Sequence, residues 1–183
     1  MSVLIPSSKL DSSQATAMRS DLRQATQAAV IGTMQQGTVV RDLQAADISG
    51  AAAGTARYAR LSNVGVLVAA TWLVKDLTRQ IPQNTAIGIY GFVVLAAVPI
   101  LDAIRFTLSG APYQQFALQE LYADLYAKIG YFDSPMLFLP GQVMGIDLLS
   151  EVGGAAAVEK YHLLGYVAEP GGFTVLGDAQ RLA

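Results

Sequence analysis

The sequence predicts a mainly α-helical protein organised around an apolar helical hairpin, at about residues 58–77 and 85–106, with flanking amphipathic helices and a small C-terminal β-hairpin. Three observations lead there. Two apolar runs, Leu61 to Val74 and Ala86 to Leu101, are separated by one polar, turn-forming stretch from Lys75 to Thr85. Downstream, Leu118, Leu121, Tyr122, Leu125 and Ile129 recur at spacings of three and four, the mark of one helix face. Finally, 52% of the 183 residues are hydrophobic and only 14% are charged. An ordinary soluble domain carries about 25% charge. A surface so poor in charge is expected to face lipid or other protein subunits.

Taken in order, residues 1–12 read as an extended arm, broken by Pro6 and its neighbouring serines. Ser12 or Ser13 is a suitable cap for a helix running to about Gln36, with Met18, Leu22, Ala25 and Ala29 near one face and Gly37 as the stop. Thr38 to Leu43 has the makings of a short strand, and Gln44 to Thr55 is a linker of small residues. The boundary there divides the chain into an N-terminal arm, helix and linker (1–55) and a hairpin-centred domain (56–183).

The first hairpin helix is flanked by Arg57, Arg60, Lys75 and Arg79; the second carries no charge from Thr85 to Leu101 and contains Pro99. These runs fall short of the roughly 20 residues of an ordinary bilayer span, although the second comes near it. Asp102 and Arg105 are expected to form an ion pair where the second helix leaves the apolar layer. Pro112 opens the next helix, which ends at Gly130 and bears an Asp124–Lys128 pair one turn apart. Tyr131 to Met144 is irregular. A helix from about Gly154 to Leu164 follows, and Tyr166 to Leu176 forms a β-hairpin around Pro170-Gly-Gly172.

Chemistry is sparse. With no cysteine, thiol nucleophiles, disulfides, iron–sulfur clusters and cysteine-bound zinc are excluded. His162 is the only histidine, and its Glu159-x-x-His162 spacing lacks the second copy that a di-iron site of that type needs. No phosphate loop, dinucleotide fingerprint, calcium loop or G-x-S-x-G elbow occurs. The net charge of −2 and the singly scattered basic residues argue against nucleic acid, so it is not expected as the primary partner. No cofactor or metal is expected either. The N-terminus lacks a basic region followed by an apolar core, so a secretory signal is not expected and the chain is assigned to the cytoplasm or to a virion.

Two functional expectations follow. The first is a non-enzymatic structural subunit of a larger homomeric assembly, such as a virion-type shell, connector or internal protein, contacting its own copies and other structural subunits. The second is a small integral membrane subunit whose two hairpin helices meet lipid. An enzyme with a dispersed site is a remote third. The side chains expected at interfaces are Trp72, Tyr90, Phe92, Leu118, Leu121, Tyr122, Leu125, Tyr166 and Phe173, which combine apolar bulk with, for tyrosine and tryptophan, a polar tip.

Overall fold

A computed structural model describes residues 3–31, 37–48, 62–63, 66–94, 99–123, 128–153 and 160–170. In chain order these form β1 (Leu4–Pro6), a short 3-10 turn (Ser7–Lys9), α1 (Ser12–Ile31), β2 (Thr38–Asp42), α2 (Ala45–Ile48), β3 (Ser62–Asn63), β4 (Thr71–Gln80) and β5 (Ala86–Val94). There follow β6 (Ala103–Leu108), β7 (Ala111–Ala117), α3 (Gln119–Ala123), β8 (Ile129–Phe138), β9 (Val143–Ser150) and β10 (Lys160–Pro170). The strands make two antiparallel sheets. One has the order β1-β8-β5-β10-β2, with β3 also on β10; the other is β4-β9-β6-β7.

The order obeys one rule. If β2, β4, β5, β6, β7, β8, β9 and β10 are taken as successive strands, the first pairs with the last, the second with the seventh, the third with the sixth and the fourth with the fifth. The pairs β5–β10 and β6–β9 then complete the two sheets. This is a long antiparallel hairpin rolled into a sandwich, the jelly-roll topology. β1 is an addition, paired to the outer edge of β8. The first strand of the roll is in two pieces, with β2 beside Tyr166–Pro170 and β3 beside Lys160–Tyr161.

One core lies between the sheets. From the first sheet come Ile87, Ile89, Phe92, Val94, Phe132, Met136, Phe138, Tyr161, Leu163 and Val167; from the second come Ile104, Phe106, Phe116, Met144, Ile146 and Leu148. Phe116 stacks on Phe132 with ring centroids 4.1 Å apart, and Phe106 meets both edge-on. In β5 the inward set changes from odd to even numbers. The cause is a bulge: Leu164 pairs with Gly91 and Gly165 with Ile89, leaving Tyr90 as an extra residue.

The outer face of the first sheet is covered by α1. Val30 packs with Ala86 and Ala168. Leu22 and Thr26 sit on Gly88 so closely that a Cβ there would collide with the Thr26 hydroxyl and press on Leu22. A strand closed in by core on one side and helix on the other has no polar face to alternate with.

The helical hairpin is therefore corrected. The stretch 58–77 holds β3 and the start of β4, and 85–106 holds β5 and part of β6. β5 is a continuous apolar run because both its faces are covered, and periodicity cannot separate such a strand from a buried helix. The helix expected from Pro112 is β7 followed by the single turn of α3, and the irregular 131–144 stretch is β8 and β9. The described end of the expected 154–164 helix is strand, and Tyr166–Glu169 belongs to β10 instead of opening a separate hairpin. The partner arm from Phe173 lies outside the described residues. The N-terminal elements agree better: α1 starts at Ser12 and β2 at Thr38. Among the described residues no helix is long and apolar enough to cross a membrane, so the two-helix membrane subunit loses the elements it was built on.

Candidate assembly surfaces

Between the described strands the interior is filled by aromatic and aliphatic side chains. The outside of the sandwich offers two faces, four edges and two ends.

On the α1-covered face, Tyr90, Tyr131 and Tyr166 come from the adjacent strands β5, β8 and β10. Tyr90 stacks on Tyr131 at 6.0 Å and tilts against Tyr166 at 5.4 Å. Burial pushes the Tyr90 phenol up to about 12, with Tyr166 adding to the effect and Arg19 opposing it.

The opposite face, on β4-β9-β6-β7, has no described helix over it. Here Arg105 is opposite Asp147, and its Nε and Nη2 donate to Asp147 Oδ2 at 2.9 and 2.6 Å. The guanidinium lies 4.3 Å from the centre of the Trp72 ring. Asp147 is buried beneath this stack. A hydrogen-bonded charge pair directly across two strands marks their register as well as covering the sheet. The expected Asp102–Arg105 pair is thus replaced by Arg105–Asp147. Asp102 ties connections together instead: its N–H donates to Leu149 O, its carbonyl accepts from Leu118 N–H, and its Oδ2 accepts from Glu151 N–H at 2.5 Å.

Near the β2 edge, every N–H of the Arg41 guanidinium points at an oxygen. Asp47 takes two bonds at 2.7 Å, Glu169 takes bonds at 2.8 and 3.3 Å, and the Asp42 carbonyl takes the last at 3.3 Å. Burial works against this cation, but the two carboxylates outweigh it and hold Arg41 above its ordinary value. The cluster fastens α2 to β2 and β10; its partners are all internal.

The ends of the sandwich differ most. Val66, Val68 and Val152 are the most exposed large apolar residues described, at 60%, 59% and 72%. All three belong to one end, where the strand β4 is entered and β9 is left. The two segments are in register: Ala70 N–H donates to Ser150 O, and Gly153 is against Leu67 and Ala69. Ala69 and Ala70 are exposed beside them.

Of the interface residues expected from sequence, Phe92, Leu118 and Leu121 are fully buried in the chain's own core. Tyr122 packs half-buried against that core, Trp72 is half-buried under Arg105, and Tyr90 and Tyr166 sit in the tyrosine cluster. Leu125 and Phe173 lie outside the described residues. The valines at the open end are not among the expected set, because Val66 and Val68 read in sequence as part of a continuous apolar helix. No local sequence signal points to them, because the turn that follows is made of Ala69 and Ala70, which are not turn-forming residues. No protein-family model matches the chain, and no curated protein matches it.

Proposed function

We propose that this protein is a non-enzymatic structural subunit of a larger homomeric assembly, a shell, connector or internal protein of the virion type, in contact with its own copies and with other structural subunits. The observation that carries this is the cluster of Val66, Val68 and Val152, open to solvent at one end of a sandwich whose interior is already closed. Three large apolar side chains exposed at the same end of a chain this poor in charge favour contact with protein. Jelly rolls serve as viral shells and also as lectin and cupin domains, so the topology raises the expectation by analogy only. Against a ligand held between the sheets, as in a cupin-like role, that space is filled by Phe92, Phe106, Phe116, Phe132, Phe138 and Tyr161. The test is the size of the purified full chain, by sedimentation velocity and electron microscopy over a wide concentration range. A defined ring, tube or shell is expected. A chain that stays monomeric at every concentration overturns the proposal.

A further inference from the structure

An antiparallel sandwich leaves open strand edges, and a protein that must not aggregate disables them. Three edges of this molecule are disabled in recognisable ways. β1 is only three residues long. The β2/β3 edge is broken in two along β10. β4 is long, but its pairing with β9 is interrupted at Val74/Asp76 and again at Asp76/Arg79, and it carries Lys75, Asp76 and Arg79.

The fourth edge, β7, is different. Its sequence Ala111-Pro-Tyr-Gln-Gln-Phe-Ala117 has no charge. Pro112, without an N–H, and the extra residue Tyr113 spoil its first half. From Gln114 to Ala117 it is regular, paired residue for residue with Phe106 to Ala103. Leu118 N–H donates inward to Asp102 O. Successive residues of a strand direct their backbone groups to opposite sides, so Phe116 and Gln114 also face β6. Gln115 and Ala117 therefore point N–H and C=O away from the sheet, and no described strand or backbone group meets them.

We infer that this half-strand is a self-pairing edge: Gln114–Ala117 of one subunit adds antiparallel to the same segment of a second copy across a two-fold axis, joining two four-stranded sheets into one. This inference rests on the assembly proposal and names one of its contacts. A second copy is the occupant that the charges favour. A two-fold axis sets a strand against itself, so any charge on it meets its like, and β7 alone among the longer edges has none to oppose.

The test uses amide hydrogen exchange on the intact chain, together with Gln115→Glu. Gln115 is paired opposite Arg105, so a carboxylate there is compatible with the subunit's own fold. With Phe116 on the axis and Gln115 opposite Ala117 of the second copy, both outward amides are bonded. The two residue-115 side chains are then diagonal neighbours on one face of the joined sheet. In the assembled wild type, the Gln115 and Ala117 amides should exchange slowly, and dilution to single subunits should make them fast. Gln115→Glu should keep its unfolding midpoint and self-associate about threefold more weakly in low salt, recovering as salt screens the repulsion. An assembly whose Gln115 and Ala117 amides exchange as fast as in the dilute chain overturns the edge contact and leaves the assembly proposal standing. Slow exchange combined with indifference to Gln115→Glu also overturns it, because another segment then occupies the edge. Absence of any assembled species overturns both.

Discussion

At one end of the sandwich the chain reverses through the short connections 81–85, 109–110 and 139–142; at the other, the connections that include 66–70, 99–102, 118–123 and 151–153 leave large apolar side chains in solvent. The short end is stitched by its own backbone. Ile81 N–H donates to Gln142 O, Gly141 N–H to Ile81 O and Ser109 N–H to Val143 O. Gln142 Oε1 accepts from Leu139 N–H as well. Ile81 is 2% exposed and belongs to the core. The open end has bonds too, centred on Asp102, yet they tie loops to one another and leave Val66, Val68 and Val152 uncovered. Among the described residues the short end is closed largely by its own backbone, with Leu139, at 41%, its exposed large apolar side chain. The other leaves apolar groups in solvent, and the difference points to where a neighbour belongs.

If that contrast is right, substitutions at the short end change folding, and substitutions at the open end change association. The largest effect on folding is expected from Ile81→Ala, which removes buried side chain from the short end and should cost about 2–5 kcal/mol in urea unfolding. Association of the refolded variant should match the wild type. A loss well below that range, or weakened association of the folded variant, would blur the contrast.

Tyr90, midway along β5, gives a reading of folding that involves neither end. Its phenol is held up to about 12, above the ordinary value of 10.0. The protonated form is the one the fold favours, so its contribution is fully present below pH 10. It is lost as pH rises from 10 towards 12, where the unfolded chain gives up the proton first. The loss is at most about 2 kcal/mol over that window, since solvent reaches part of the phenol and screens the effect. Tyr90→Phe should flatten that part of the stability profile; an unchanged alkaline slope would remove Tyr90 as its source.

Gly141→Ala, again at the short end, is expected to cost about 1–2 kcal/mol, because the residue has φ +79° and a side chain there is strained. At the open end Ser150→Ala should be neutral or raise stability by up to about 1 kcal/mol, since the buried Ser150 hydroxyl has no hydrogen-bond partner among the described residues. Thermal unfolding of the two variants side by side distinguishes the ends, and a clear loss of stability in Ser150→Ala would contradict the assignment.

What can be read from the chain follows from what shields each element. α1 and β2 are legible because polar helix-starting residues and one-sided exposure produce ordinary local signals. The cap, however, is Asp11, whose Oδ1 accepts from Ser13 N–H, in place of the expected serine. The expected end of the helix lies outside the described residues. The polar stretch 75–85 reads as a break, and the connection 81–85 does reverse the chain there. The type of element on either side is not legible. Ala86–Val94 is covered by core below and by Leu22, Thr26 and Val30 above, so its residues carry no period. Its Ile, Val, Tyr and Phe content is the better guide, and it favours strand. In β8 the alternation Phe132, Met136, Phe138 is broken by the irregular pairing between Ile89 and Gly91, which hides a strand inside an apparently shapeless run. The stripe Leu118, Leu121, Tyr122 is real, but it belongs to the single turn of α3 and the residue before it. Of the candidate site, the low charge announces an unusual surface, while the particular valines can be located only once the strands are in place.

The most direct measurement is sedimentation of the wild-type chain beside Val152→Asp. At 72% exposure Val152 contributes little to folding, so the variant's unfolding midpoint should shift by less than about 0.5 kcal/mol in free-energy terms. The account predicts a multi-subunit wild type and a lighter, equally well-folded variant. A wild type and a variant that both sediment as single 183-residue chains would contradict it.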